Sequence, residues 1–216
     1  MSIELDPVEA RVLACLIEKE ITTPEYYPLT LNALVAACNQ KSNRDPVMQL
    51  SEADLVQALD RLRSRTLAWE STSTATRVPK YRQGVRDALP LPPQQWAVLC
   101  ALMLRGPQTA AELRVHAGRF APFADTGEVL AALQALTTRA EGPLVVKLPR
   151  VTGQREERFA HLLCGAVAVD AQPAAAAAEV GAERERIDKL EAEVGALRGE
   201  LESRKARLAD FEKQFQ

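Results

Sequence analysis

Histidine is nearly missing from this chain: His116 and His161 are the two in 216 residues. His116 ends a short helical pattern and His161 lies in an apolar strand pattern. Neither has a ligand partner three or four residues away, which argues against a metal centre. The four cysteines, Cys15, Cys38, Cys100 and Cys164, are scattered without a Cys-x-x-Cys pair. Neither a zinc site nor a disulfide framework is therefore expected, and reduced thiols are the simple reading. No Gly-rich phosphate loop and no Gly-x-Ser-x-Gly elbow occur, and Arg105-Gly106-Pro107 reads as a helix stop. Cys164 stands near His161, but no orienting acid is evident for a nucleophile pair. The expectation is a protein that is not an enzyme and takes no cofactor.

Long apolar runs and a dominant charge are also absent. Trp96 to Leu104 is the longest apolar candidate, about half of the roughly 20 residues a spanning helix needs. The acidic start, Met1-Ser2-Ile3-Glu4-Leu5-Asp6, does not read as a signal peptide, so a cytoplasmic protein with no membrane contact is expected. The formal net charge is −2, so no global field draws the chain to nucleic acid. Residues 1–89 carry 11 Lys/Arg against 12 Asp/Glu, residues 90–165 carry 8 against 6, and residues 166–216 carry 8 against 11. Any contact with nucleic acid must come from local basic patches.

What is present is a repeat. Thr30-Leu31-Asn32-Ala33-Leu34 through Cys38-Asn39 matches Thr109-Ala110-Ala111-Glu112-Leu113 through Ala117-Gly118. Each copy has a capping Thr, a Leu four residues on, and a stop residue that tolerates a left-handed conformation. Thr109 and Glu112 form a capping box. The next helix repeats as Leu55, Ala58, Leu59, Leu62 against Val129, Ala132, Leu133, Leu136, one face of a helix in each case. An apolar helix precedes each pair, marked by Val12, Leu13, Leu16 and Ile17, and by Trp96, Leu99, Cys100 and Met103. After each third helix the period shifts to that of strands: Leu67–Thr72 with Val78–Arg82, and Leu144–Leu148 with Arg158–Leu162. Three helices closed by a β-hairpin, twice over, is the winged-helix pattern.

The expected class is mainly α with small β-hairpins. Residues 1–88 are the first winged-helix domain and 89–164 the second, divided by Pro90, Pro92 and Pro93. An Ala/Val-rich linker follows at 165–178, then a coiled-coil helix at 179–216. Ile187, Leu190, Val194, Leu197, Leu201, Leu208 and Phe211 fall at a and d positions of a pattern that runs from Val180 to Phe215 over about five heptads, broken once by Arg204 at d. In a parallel in-register pair, Arg186 meets Glu191, Glu193 meets Arg198, Glu200 meets Lys205 and Arg207 meets Glu212, all attractive. A homodimer through this tail is expected; an antiparallel pair and a helix folded back on the body are the alternatives.

Several longer words are specific. Arg11-Val12-Leu13, Glu18 to Pro24, Tyr27-Pro28-Leu29, Ala37 to Arg44, Leu104 to Thr109 and Gly153-Gln154-Arg155-Glu156 resemble the YceH-like family of uncharacterised bacterial proteins. The resemblance spans about residues 4–165 and implies a tandem winged-helix fold in a cytoplasmic protein, with no implied activity.

Two function classes follow. A winged helix commonly reads DNA with its third helix and grips phosphate with its wing. Lys41 and Arg44 after the second helix, Arg61 on the third, and Arg77, Lys80 and Arg82 on the wing are the candidate contacts to double-stranded DNA, with Asn39, Gln40 and Asn43 adding polar contacts. The competing account is that Lys41 and Arg44 complement a helix C-terminus and the wing is merely solvated. In the second domain the third helix presents Ala131, Gln134, Ala135 and Thr138, uncharged, which suits a protein partner rather than phosphate. The alternative to a dimeric DNA-binding regulator is thus a scaffold that contacts proteins. Tyr26 and Tyr27, flanked by prolines, either form a rigid binding surface or roof the core.

Overall fold

The computed structural model describes residues 3–73, 76–149 and 156–166. The chain enters a helix at once. Asp6 accepts from the Glu9 amide (2.8 Å) and Glu9 accepts from the Asp6 amide (2.9 Å), a capping box that opens α1, Pro7–Thr22. A single 3₁₀ turn, Pro24–Tyr26, leads to the short strand β1, Leu29–Thr30. Thr30 then caps α2, Leu31–Cys38. Ser51 and Asp54 box the start of α3, Glu52–Ser64. The hairpin β2, Ala68–Ser73, and β3, Thr76–Gln83, closes the half, and α4, Val85–Ala88, leads out of it.

The second half repeats the order: α5 Pro93–Arg105, β4 Gln108–Thr109, α6 Ala110–Ala117, α7 Thr126–Thr137, β5 Val145–Lys147 and β6 Arg158–His161. The capping box on Thr109 and Glu112 forms as expected. Each half carries one antiparallel sheet with the returning strand in the middle, in the order β1-β3-β2 and β4-β6-β5. The architecture is mainly α with small β elements. The strands β1 and β4 were not expected, because two residues are too few to show an alternation.

The two halves do not have separate cores. One continuous cluster of buried side chains runs through both halves, and they form one compact unit, Met1–Val167. The reason lies in α1 and α5. Val12 through Ile17 are fully enclosed, and so is nearly every residue from Trp96 to Leu104. A helix buried on every side has no solvent face to keep polar, so its stripe widens into a run. The Cys100 thiol approaches the Ala14 carbonyl at 3.5 Å where the two helices meet. Backbone bonds tie the halves further: the Leu5 amide donates to the Leu163 carbonyl (2.6 Å) and the Asp45 amide to the Leu104 carbonyl (2.9 Å).

The two tyrosines divide between the two expected roles. Tyr27 packs on the core and its hydroxyl accepts from the Gln83 amide at 2.6 Å, whereas Tyr26 stands exposed. No helix among the described residues is long and apolar enough to cross a membrane.

Candidate nucleic-acid interface

Strand alternation sorts the β2–β3 hairpin into two faces. Ala68 pairs with Gln83 and Glu70 with Tyr81, and this side turns inward: Ala68 and Gln83 are buried and Tyr81 packs against the core. Trp69 opposite Arg82, and Ser71 opposite Lys80, occupy the other side. That outer face is aromatic and basic, with no acid at these four positions. Trp69 is 37% exposed, and the Arg82 guanidinium lies over its ring at 5.9 Å from the centroid. The ring rests on Gly84, where a Cβ would come within 2.5 Å of the indole nitrogen and 2.6 Å of the Thr66 carbonyl oxygen. Glycine is what lets the indole lie down on the backbone. Val78, further along β3, is 55% exposed.

The candidate cations meet different fates. Lys41 is exposed in the α2–α3 connection, Lys80 half-buried in the middle strand, and Arg82 exposed. None of the three makes an ion pair among the described residues. Arg77 lies in β3, and its side chain falls outside what the structure describes. Arg44 corrects the sequence reading: it is 5% exposed and turned inward. Its guanidinium pairs with Glu18 on α1 and donates to the carbonyls of Ala37 (3.0 Å) and Asn43 (2.9 Å). It therefore serves the end of α2, which leaves orphan carbonyls for a cation to satisfy. Phosphate cannot reach it.

Arg61 is also engaged. It donates to Glu9 at 2.9 Å and to Asp6 at 2.6 Å, clasping the start of α1. Arg63 pairs with Glu70 (2.8 Å) and Arg65 with Glu9 (2.7 Å). With Glu52 and Asp54 in its first turn, α3 offers little free positive charge. Asn39 and Asn43 are likewise occupied: Asn39 exchanges two 2.8 Å bonds with the Leu50 backbone, and Asn43 accepts from Arg105 at 2.8 Å. Gln40 is half-buried in the same connection.

A family model described as a protein of unknown function, DUF480, matches residues 5–154. The chain belongs to this family. It is 49% identical to a UPF0502 protein of Geobacter sulfurreducens across the whole of both chains. It is 46% identical to a UPF0502 protein of Vibrio atlanticus over 95% of this chain and 97% of that one, and 48% identical to one of Vibrio parahaemolyticus over 96% and 98%. This agrees with the YceH-like resemblance. The matched family span includes the hairpin face and α7, and stops short of residues 179–216.

In the second half, Ala131, Gln134 and Thr138 are exposed on or just after α7 and Ala135 is half-buried. Leu130, which the sequence reading passed over, is exposed on the same helix. Ile187, Leu190, Val194, Leu197, Leu201, Leu208 and Phe211 lie outside the described residues. Trp69 is the other residue the reading missed. Its alternation with Ala68 was the available signal, because small Ala68 faces the core and so puts its large neighbour outside. Among the described residues, no group of three or more His, Cys, Asp or Glu could hold a metal ion.

Proposed function

We propose that this protein is a non-enzymatic, cytoplasmic DNA-binding protein made of two winged helices, with the β2–β3 hairpin of the first half as the wing that grips the duplex. Each half has the helix-strand-helix-helix-hairpin order of a winged helix. The observation that carries the reading is the outer face of the hairpin, where Trp69, Lys80 and Arg82 stand together without an acid. Cations there neutralise phosphates, and the indole supplies an apolar, stackable surface. Arg77 and Lys41 add to the same positive surface in this reading. The third helix contributes less, since its arginines are already paired.

Fluorescence anisotropy on duplex DNA across a salt series tests this. Wild-type affinity is expected to fall steeply with salt, and the Arg77→Ala/Lys80→Ala/Arg82→Ala variant to lose up to about 2.7 from the slope of log affinity against log salt, at about 0.9 per contact. Absence of binding at low salt ends the proposal.

A homodimer through residues 179–216 would place two such wings on one duplex and raise affinity by avidity. Light scattering is expected to show a dimer for the full chain and a monomer for a chain ending at Ala178; equal oligomeric states would remove the coil from the account.

One observation favours a protein-contact scaffold instead: the outer face of α7, which beyond Glu128 in its first turn is uncharged and partly apolar, with Leu130 exposed. Under that reading Leu130→Glu, not the wing variant, abolishes activity in the cell.

A further inference from the structure

A cavity of about 250 Å³ opens where the start of α1, the 45–48 segment, the end of α5 and β6 come together. Its wall is largely apolar, formed by Ala10, Pro46, Met48, Leu102, Met103 and Pro107 among others. Two groups with buried, unpartnered nitrogens interrupt this wall. Arg11 is one of them, 2% exposed and, among the described residues, with no carboxylate within ion-pair distance. It donates to the backbone carbonyls of Cys38 (3.1 Å) and Pro46 (2.8 Å), and its Nε–H is buried without a partner. The second is His161, whose Nδ1 is also buried and unpartnered. Burial pulls this imidazole down to about 4, so it is neutral at physiological pH and carries one N–H.

The two buried arginines of the first half make the contrast plain. Arg44 has Glu18 in contact with it; Arg11 has backbone dipoles in contact and, among the described carboxylates, the charge of Asp45 beyond ion-pair distance. A guanidinium does not escape the cost by losing its proton, and a buried charge without an opposite charge is expensive. Asp45 also lines the cavity, but it is exposed and makes no ion pair with Arg11. An anion admitted by the cavity would bring an opposite charge into contact with Arg11, which Asp45 does not. A mostly apolar wall with a few convergent polar groups is the ordinary make-up of a small-ligand site.

We propose that this cavity binds a small monocarboxylate with an apolar tail, its carboxylate paired with Arg11 and its tail against Met48, Leu102 and Met103. The cavity is many times the roughly 10–15 Å³ that one water needs, which leaves room for a short-chain acid. The site shares no residue with the hairpin face, so it stands or falls independently of the DNA reading.

Cys164 supplies the test. It lines the cavity and is the exposed cysteine, whereas Cys15, Cys38 and Cys100 are buried. Its thiol is pushed up to about 11, chiefly by burial, so labelling with an aromatic disulfide is followed at pH 9. Sodium hexanoate is expected to slow labelling of the full-length protein at least about 5-fold at saturation and to raise its melting temperature. Hexanol and hexylammonium at the same concentration should do neither. No protection by hexanoate, or equal protection by hexanol, overturns the proposal. The Arg11→Gln variant is expected to lose the protection, and undiminished protection in it overturns the role of Arg11. Should that variant fail to fold, the three-probe comparison on wild type still decides.

Discussion

Replacing Glu18 with glutamine is expected to cost about 3–5 kcal/mol of folding stability, because it strands a buried guanidinium. Glu18 and Arg44 are almost wholly enclosed between α1 and the α2–α3 connection. Arg44 places both terminal nitrogens on the carboxylate and the rest of its fork on backbone carbonyls and the Cys15 sulfur. Glutamine keeps the shape and one acceptor but removes the charge. The arginine cannot follow by deprotonating, nor can it swing to water without abandoning the end of α2. Urea unfolding followed by circular dichroism checks this: the midpoint should drop with little change in slope. Removing both charges in Glu18→Leu/Arg44→Leu should recover a good part of the loss, since an apolar pair has no desolvation to repay. If the double variant is as unstable as the two single losses added together, the ion pair carries no coupling. Arg61→Ala is the contrasting case. Its own guanidinium is half in water, and buried Glu9 keeps a second bridge from Arg65, so its loss should lower the urea midpoint far less than Glu18→Gln does.

That contrast marks the limit of what the sequence shows. Lys41 and Arg44 sit three residues apart after the same helix, and by residue type either could face phosphate. One is exposed and the other is the buried plug of a helix end, a difference set by Glu18, 26 residues away. Long-range pairing of this kind leaves no local period to read. The third helices were legible because their apolar residues return every third and fourth position, and Leu55, Leu59, Leu62, Val129, Leu133 and Leu136 are all buried. The capping threonines were legible for a similar reason: an N-cap acts on its own helix, within three residues. Trp69 failed the opposite way: aromatics favour half-buried strand surfaces, which hid the outward position its alternation with Ala68 implied, and its pairing with Arg82 shows that outer face.

The first helix of each half misled in a more useful manner. Read singly, α1 and α5 each have a stripe for their own three-helix core; read together, they are too apolar for that, and each buries its spare face on the other. The consequence is an expected result for Leu16→Ala. Leu16 is fully enclosed on α1, and its truncation should cost about 2–5 kcal/mol. The loss should not stay in the first half. Trp69 belongs to the first hairpin and Trp96 to α5, and they are the two tryptophans of the chain. A Trp69→Phe background therefore reports the second half alone, and Trp96→Phe the first. With one continuous core, Leu16→Ala should lower the urea midpoint equally in both backgrounds. Two halves with separate cores would instead leave the Trp96 signal where it was, because α5 and its partners would lose nothing. Coincident midpoints are what a single cooperative unit requires, and a shift confined to the Trp69 signal would show that the packing of α1 on α5 does not couple the halves.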